Sequence, residues 1–198
     1  MKKLLLVLVA LMMLPVTAQE FKEGVHYEVI AEEGTAKPEI KEFFSFYCIH
    51  CYRFEPIAAA MKDAYPKAFE KSHIVSHPTL ELMARGFAAA KLFKKEEPIS
   101  QAFYERIHAQ KQQINTEEDL KAIFHVNGVS ADKFEKAMKH PLVEKQLNDM
   151  DRDMRAYNIN ATPTFIVNGK YRLKTEGFRD SEDFMADFVK AAGYLMEM

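Results

Sequence analysis

Val25, Tyr27 and Val29 alternate with His26, Glu28 and Ile30, the period-two spacing of a strand. Gly34 to Pro38 reads as a turn, and Pro38 to Phe46 as a second strand. Its nearly continuous apolar end, Phe43-Phe44-Ser45-Phe46, suits a central strand covered on both faces. A helix is expected from Cys48 to about Tyr65, with Pro56 inside it removing one hydrogen bond and kinking the axis. A short third strand is expected from Lys71 to Ser76. From Pro78 to about Asn158 the spacing becomes helical and stays so. One helix spans 80–93 and a second Pro98–Gln110. Thr116-Glu117-Glu118-Asp119 resembles a capping box, and Asn127-Gly128 supplies the stop. Ser130 is expected to cap the next helix, and Pro141 opens a longer one. Strand signals return at Thr164-Phe165-Ile166-Val167. Asn168-Gly169 predicts a type I′ hairpin turn, with Tyr171 to Lys174 as the returning strand. After a break at Gly177, Ser181 is expected to cap a final helix carrying Phe184 and Phe188.

The order β, β, α, β, helical block, β, β, α predicts an α/β sheet domain interrupted by an all-helical insert. The expected division is residues 19–76 with 151–198 for the sheet domain and 77–150 for the insert. No internal repeat, low-complexity tract or flexible linker interrupts it. The chain has 198 residues, 48% of them hydrophobic and 28% charged, enough for a sizeable core. A net charge of −2 makes no case for a nucleic-acid partner.

The first eighteen residues change the expected compartment. Lys2 and Lys3 precede an apolar run of about eleven residues, then Pro15 and Val16-Thr17-Ala18. That is the plan of an export signal cleaved after Ala18. A membrane anchor would need about 20 apolar residues, more than the run supplies. Loss of the two lysines leaves 25 cationic against 29 acidic residues, a mature charge of −4.

The only two cysteines, Cys48 and Cys51, sit between the apolar strand and the helix that follows. Strand, Cys-x-x-Cys, helix is the context in which this spacing reads as a redox site. Cys48 would lie at the helix N-terminus, where unpaired N–H groups and the dipole favour a thiolate. A static disulfide or half of a zinc site is the alternative. Zinc needs about four ligands, and no second pair exists; a bridge closing so small a loop would restrain the unfolded chain little. In an oxidising compartment such a pair can donate a disulfide. Glu42 interrupts the second strand six residues before Cys48. It is either a strand-end residue facing water or a buried acid exchanging protons with the cysteines. Thr162-Pro163 opens the fourth strand, where proline is tolerated; a trans bond would be the ordinary expectation.

Taken together, these stretches resemble the bacterial periplasmic DsbA family of thiol:disulfide oxidoreductases. The matching positions are Phe43-Phe44-Ser45-Phe46, Cys48-x-His50-Cys51-Tyr52, the helical insert, and Pro163 followed by Phe165-x-Val167-Asn168-Gly169-Lys170-Tyr171. The resemblance implies a thioredoxin fold with an inserted helical domain. It implies a redox-active Cys48–Cys51 disulfide, with Cys48 the exposed nucleophile and Cys51 its buried partner. His50 would stabilise the Cys48 thiolate, and Glu42 would be the buried acid. Pro163 would be cis and lie against the disulfide, leaving the Thr162 backbone to hold a substrate strand. Two positions depart from the best-known members: Ile49 stands in place of proline, and Thr162 in place of valine. Threonine there resembles the periplasmic disulfide isomerases.

The expected activity is therefore disulfide donation in the periplasm to exported proteins with free cysteines, by a monomer without metal or organic cofactor. A quinone-linked inner-membrane oxidase of the DsbB type would reoxidise it. The rival readings are a periplasmic reductase or isomerase and, from another class, a peptide-binding chaperone module with a structural disulfide.

Overall fold

A five-stranded mixed sheet carries the site, with Tyr27–Val29, Tyr171–Leu173, Thr164–Val167, Ile40–Phe44 and Phe69–His73 in that spatial order. The computed structural model describes residues 21–198; the expected leader, 1–18, lies outside the described residues. The strands are β1 (Tyr27–Val29), β2 (Ile40–Phe44), β3 (Phe69–His73), β4 (Thr164–Val167) and β5 (Tyr171–Leu173). β2 runs parallel to β3 and antiparallel to β4, with Glu42 opposite Lys71 on one side and Phe165 on the other. Every residue of β2 is buried, as its unbroken apolar end predicts for a strand covered on both faces. Asn168 and Gly169 both take positive φ in the β4–β5 turn, which the type I′ hairpin requires.

Helix α1 (Ile49–Ala64) follows β2 directly, with Pro56 inside it, and α7 (Phe184–Met196) closes the chain. They pack on the sheet around Ile40, Met61, Phe165, Phe188 and Leu195. The other helices are α2 (Pro78–Leu92), α3 (Glu96–Tyr104), α4 (Glu117–Val126), α5 (Ala131–Met138) and α6 (Pro141–Ala156). Their core includes Phe87, Phe103, Phe124 and Leu147, and it takes in Phe44, Phe46 and Cys51 from the sheet side. This is the thioredoxin fold with a helical insert between β3 and β4. Among the described residues no helix is long and apolar enough to cross a membrane.

Several local expectations shift. The third strand begins at Phe69, because pairing with buried β2 supplies the order that its polar residues Glu70, Lys71 and Ser72 do not signal. The second insert helix ends at Tyr104 and continues as one π-helical turn, Glu105–Ala109. Thr116 and Asp119 form a complete capping box, whereas Ser130 stands at the helix start without a side-chain cap bond. The cap of α7 is Asp183, whose carboxylate accepts from the Ala186 N–H; Ser181 instead donates to Asp187. The expected division after residue 150 falls inside α6. The first half of that helix packs Val143, Leu147 and Met150 in the insert core. Its last turns reach the sheet, where Asp153 pairs with Lys41 at 2.6 Å.

Candidate active site

The end of β2 becomes the start of α1 through Ser45-Phe46-Tyr47. The Cys48 N–H donates to the Ser45 carbonyl at 3.0 Å, and Cys48 is the N-cap of α1. Its Sγ accepts from the Cys51 N–H at 3.3 Å. A helix N-terminus therefore points a backbone donor and its positive dipole end at this sulfur. Both cysteines stand as free thiols in this structure. Cys48 is half-buried, while Cys51 has no exposed surface. Burial pushes the Cys51 thiol well above the ordinary range. This asymmetry follows from the helix itself. The N-cap residue faces out at the helix tip, and the residue three further on turns inward against Phe46 and the insert.

The Thr162–Pro163 bond is cis, and the Cys48 Sγ–H donates to the Thr162 carbonyl at 3.3 Å. The segments expected to meet, Cys48 to Cys51 and Thr162-Pro163, are thus brought together from residues more than a hundred apart in sequence. His50 lies on the exposed first turn of α1. Its ring makes no hydrogen bond among the described residues.

Glu42 is fully buried in mid-strand, and neither carboxylate oxygen has a hydrogen-bond partner. Lys71 Nζ stands 3.5 Å from it but only 2.5 Å from Glu55 on α1. Glu55 is therefore the ion partner of Lys71. Burial, only partly offset by Lys71, pushes the Glu42 carboxyl up to about 7. Lys71 is held above its ordinary range against its own burial by Glu42 and Glu55. At neutral pH the cluster thus holds a proton that Glu42 can give up or take. Glu55 and Lys71 are functional candidates that the sequence reading passed over. The signal for Glu55 was its place one helical turn after Cys51, on the same face of α1.

Two histidines also went unremarked. His73, at the end of β3, is fully buried, and burial drives its imidazole down to about 4. Neutral, it donates from Nδ1 to the Ile74 carbonyl at 2.7 Å and accepts the Phe46 N–H at Nε2, 3.2 Å away. His108, on the π-helical turn, donates from Nε2 to the Phe46 carbonyl at 2.7 Å and stacks on Tyr52. The peptide groups flanking the redox turn are thus held from the sheet and from the insert at once.

Tyr47 adds a third tie. Its hydroxyl donates to the Ile114 carbonyl at 2.7 Å and accepts the Ile114 N–H at 3.0 Å. Tyr47→Phe would leave both groups of a buried residue unsatisfied. The expected loss is about 1–3 kcal/mol, read from urea unfolding; an unchanged midpoint would mean that water replaces the hydroxyl. Among the described residues no group of three or more His, Cys, Asp or Glu side chains is placed to hold a metal ion.

The family profile described as a DSBA-like thioredoxin domain matches residues 66–190. The thiol:disulfide interchange protein DsbA of Haemophilus influenzae is 32% identical over 212 residues, spanning 100% of both chains. The chain belongs to the DsbA-like thioredoxin family. Structures of DsbA proteins share its fold. The DsbA disulfide interchange protein of Klebsiella pneumoniae superposes with a TM-score of 0.84 at 22% identity, covering 91% of this chain and 100% of that one. Proteus mirabilis DsbA, solved with a non-covalently bound peptide, PWATCDS, gives a TM-score of 0.80 at 22% identity, covering 90% and 100%. The helix-capped Cys48, the buried Cys51 and the facing Thr162-Pro163 segment lie within a DsbA-like chain.

Proposed function

We propose that this protein is a thiol:disulfide oxidoreductase that donates its Cys48–Cys51 disulfide to exported proteins with free cysteines. A substrate thiolate attacks Cys48 Sγ. The bond between Cys48 and Cys51 breaks, and its electron pair leaves on Cys51 Sγ, which takes up a proton. A second substrate thiolate then attacks its own sulfur in the mixed disulfide. The substrate leaves oxidised, and Cys48 leaves as a thiolate. The observation that carries this reading is the placement of Cys48: half-exposed, at a helix N-terminus, with a buried partner that cannot itself be attacked. The Thr162 backbone beside it would hold a substrate strand. His50 would stabilise the thiolate as a nearby cation or N–H donor. In this reading residues 77–150 form a helical insert over the redox turn. The protein acts in the periplasm as a monomer, and a quinone-linked inner-membrane oxidase of the DsbB type returns it to the disulfide.

Direction is a matter of energy balance. Closing a four-residue loop constrains the unfolded chain by only about 2 kcal/mol. A thiolate at Cys48 gains about 1.5–3 kcal/mol from a charge-assisted hydrogen bond and about 1–2 kcal/mol from the helix end. The reduced protein should therefore be the more stable form at about pH 8.5, by about 0.5–3 kcal/mol; at pH 7, where the unfolded thiol is protonated, about 2 kcal/mol of that thiolate gain is absent and the two forms should lie closer. Its potential against glutathione buffers should lie above about −180 mV, on the oxidising side of protein disulfide isomerase. His50→Leu should narrow the stability gap and lower the oxidising power together. Urea melts of both redox forms and the glutathione equilibrium test this. An oxidised form more stable than the reduced one, with a potential near the roughly −270 mV of thioredoxin, would reverse the assigned direction.

A further inference from the structure

A groove of about 670 Å³ opens between α1, the edge strand β3 and α3, and Glu55, Lys71, Tyr52 and Tyr104 form part of its wall. Tyr104, the last residue of α3, is 1% exposed, and its hydroxyl makes no well-formed hydrogen bond, although the Glu55 carboxylate stands near enough to act on it. The ring needs no hydroxyl to hold its place. It stacks on Tyr52 at 5.3 Å and meets the Phe46 ring edge-on at 4.9 Å, contacts a phenylalanine would also make. Burying an unpaired hydroxyl costs about 1–3 kcal/mol, so its presence calls for an explanation.

What surrounds the hydroxyl supplies one. Lys71 Nζ lies 6.0 Å from the Tyr104 ring centre. Burial first, and then the charges of Glu55, Glu42 and the Cys51 sulfur, hold the hydroxyl protonated throughout the working range. His108 packs against the ring from the π-helical turn, 6.0 Å away. A protonated hydroxyl acted on by two carboxylates, on a residue lining a groove open to solvent, can accept one proton as it gives another.

We propose that Tyr104 is a positioning residue of the proton path to Cys51, linking the Glu42–Lys71–Glu55 cluster to solvent through the groove. The inference rests on the reading that Glu42 supplies the Cys51 proton. When the disulfide is cleaved, Cys51 leaves as a thiolate and takes the proton of the Glu42 carboxyl. The Glu42 carboxylate is then reprotonated from water in the groove. Tyr104 passes a proton inward toward Glu55 and Glu42 while accepting one on its groove side, so no phenolate forms and no charge is lost.

The test is Tyr104→Phe, which keeps the ring. The rate at which a two-cysteine peptide reduces the Cys48–Cys51 disulfide is followed by stopped flow from pH 5 to 8, in H2O and D2O. Tyr104→Phe should slow the reaction about three- to tenfold and raise the solvent isotope effect, with the glutathione equilibrium constant within about twofold of wild type. Its loss should not add to that of Glu55→Gln, because both lie on one path. Wild-type rates and isotope effects in Tyr104→Phe, beside a changed pH profile in Glu42→Gln, would overturn the role of Tyr104 and leave that of Glu42 standing. Additive losses would also overturn it. Wild-type profiles in both variants would remove the Glu42 reading itself, and the inference with it.

Discussion

At pH 8 the Glu42→Gln protein should be more stable than the wild type by about 3 kcal/mol, and at pH 4.5 the two should be nearly equal. Glu42 has no exposed surface and no hydrogen-bond partner, and its carboxyl is raised from 4.5 to about 7. A folded-state value above the unfolded one means that the native protein prefers the protonated form. That preference contributes stability present in full below about 4.5. It is lost as pH rises through about 7, beyond which the native state carries a buried charge. Each unit is worth about 1.4 kcal/mol, so a displacement of this size amounts to about 3 kcal/mol. Glutamine keeps the shape of the acid and does not titrate. Lys71 keeps Glu55, its closer partner at 2.5 Å. Urea unfolding of both proteins across pH 4–8 gives the measurement. Parallel stability curves would show that the carboxyl is solvated in the native state. The stabilised variant should exchange disulfides with an altered pH profile if Glu42 is the buried acid that supplies the Cys51 proton. Stability gained by removing a strained functional group at the expense of activity is a familiar exchange.

Cys48→Ser should abolish disulfide transfer, by at least about three orders of magnitude, while Cys51→Ser should accumulate as a mixed disulfide with an oxidised partner. The two cysteines are three residues apart, yet only Cys48 has surface to offer an incoming thiolate. Removing it removes the atom attacked, and buried Cys51 cannot take its place. Removing Cys51 instead leaves the Cys48 sulfur at the helix tip, still able to form one mixed disulfide with an oxidised partner. No internal thiol is then left to resolve that bond. Activity assays on a reduced two-cysteine peptide, with non-reducing gels for species trapped on the oxidised peptide, separate the outcomes. A Cys48→Ser protein with full transfer activity would favour the reading of a chaperone module whose disulfide is structural.

Much of this arrangement was legible in the chain. Strand β2 announced itself by its apolar end, the redox pair by its position between strand and helix, and the hairpin by Asn168-Gly169. Thr116 and Asp119 marked the start of α4 because a capping box is a local device, readable without knowledge of the fold. The rest depended on contacts that no window of sequence contains. Lys71 and Glu55 look like ordinary surface charges until parallel pairing sets Lys71 opposite Glu42 and α1 lays Glu55 over both. Tyr104 and His108 lie some fifty residues from the cysteines, in a segment whose spacing speaks only of helices. The π-helical turn that aims His108 at Phe46 leaves no signature in hydrophobic periodicity. Asp183 rather than Ser181 caps α7, since either residue suits that position and only the entry path of the chain decides.

The double grip on Phe46 bears on how separable the two units are. Its N–H is held by a histidine of the sheet and its carbonyl by a histidine of the insert, while Tyr47 reaches across to Ile114. The seam between the units therefore runs through the redox turn itself. A sheet domain cut free at that seam would keep both cysteines. It would lose the partner of the Phe46 carbonyl and both partners of the Tyr47 hydroxyl, and it would bare Phe44 and Phe46, which are buried against Phe87. The insert is thus part of the redox site's foundation rather than a detachable accessory. In this chain the reactive motif is not a transferable cassette of four residues.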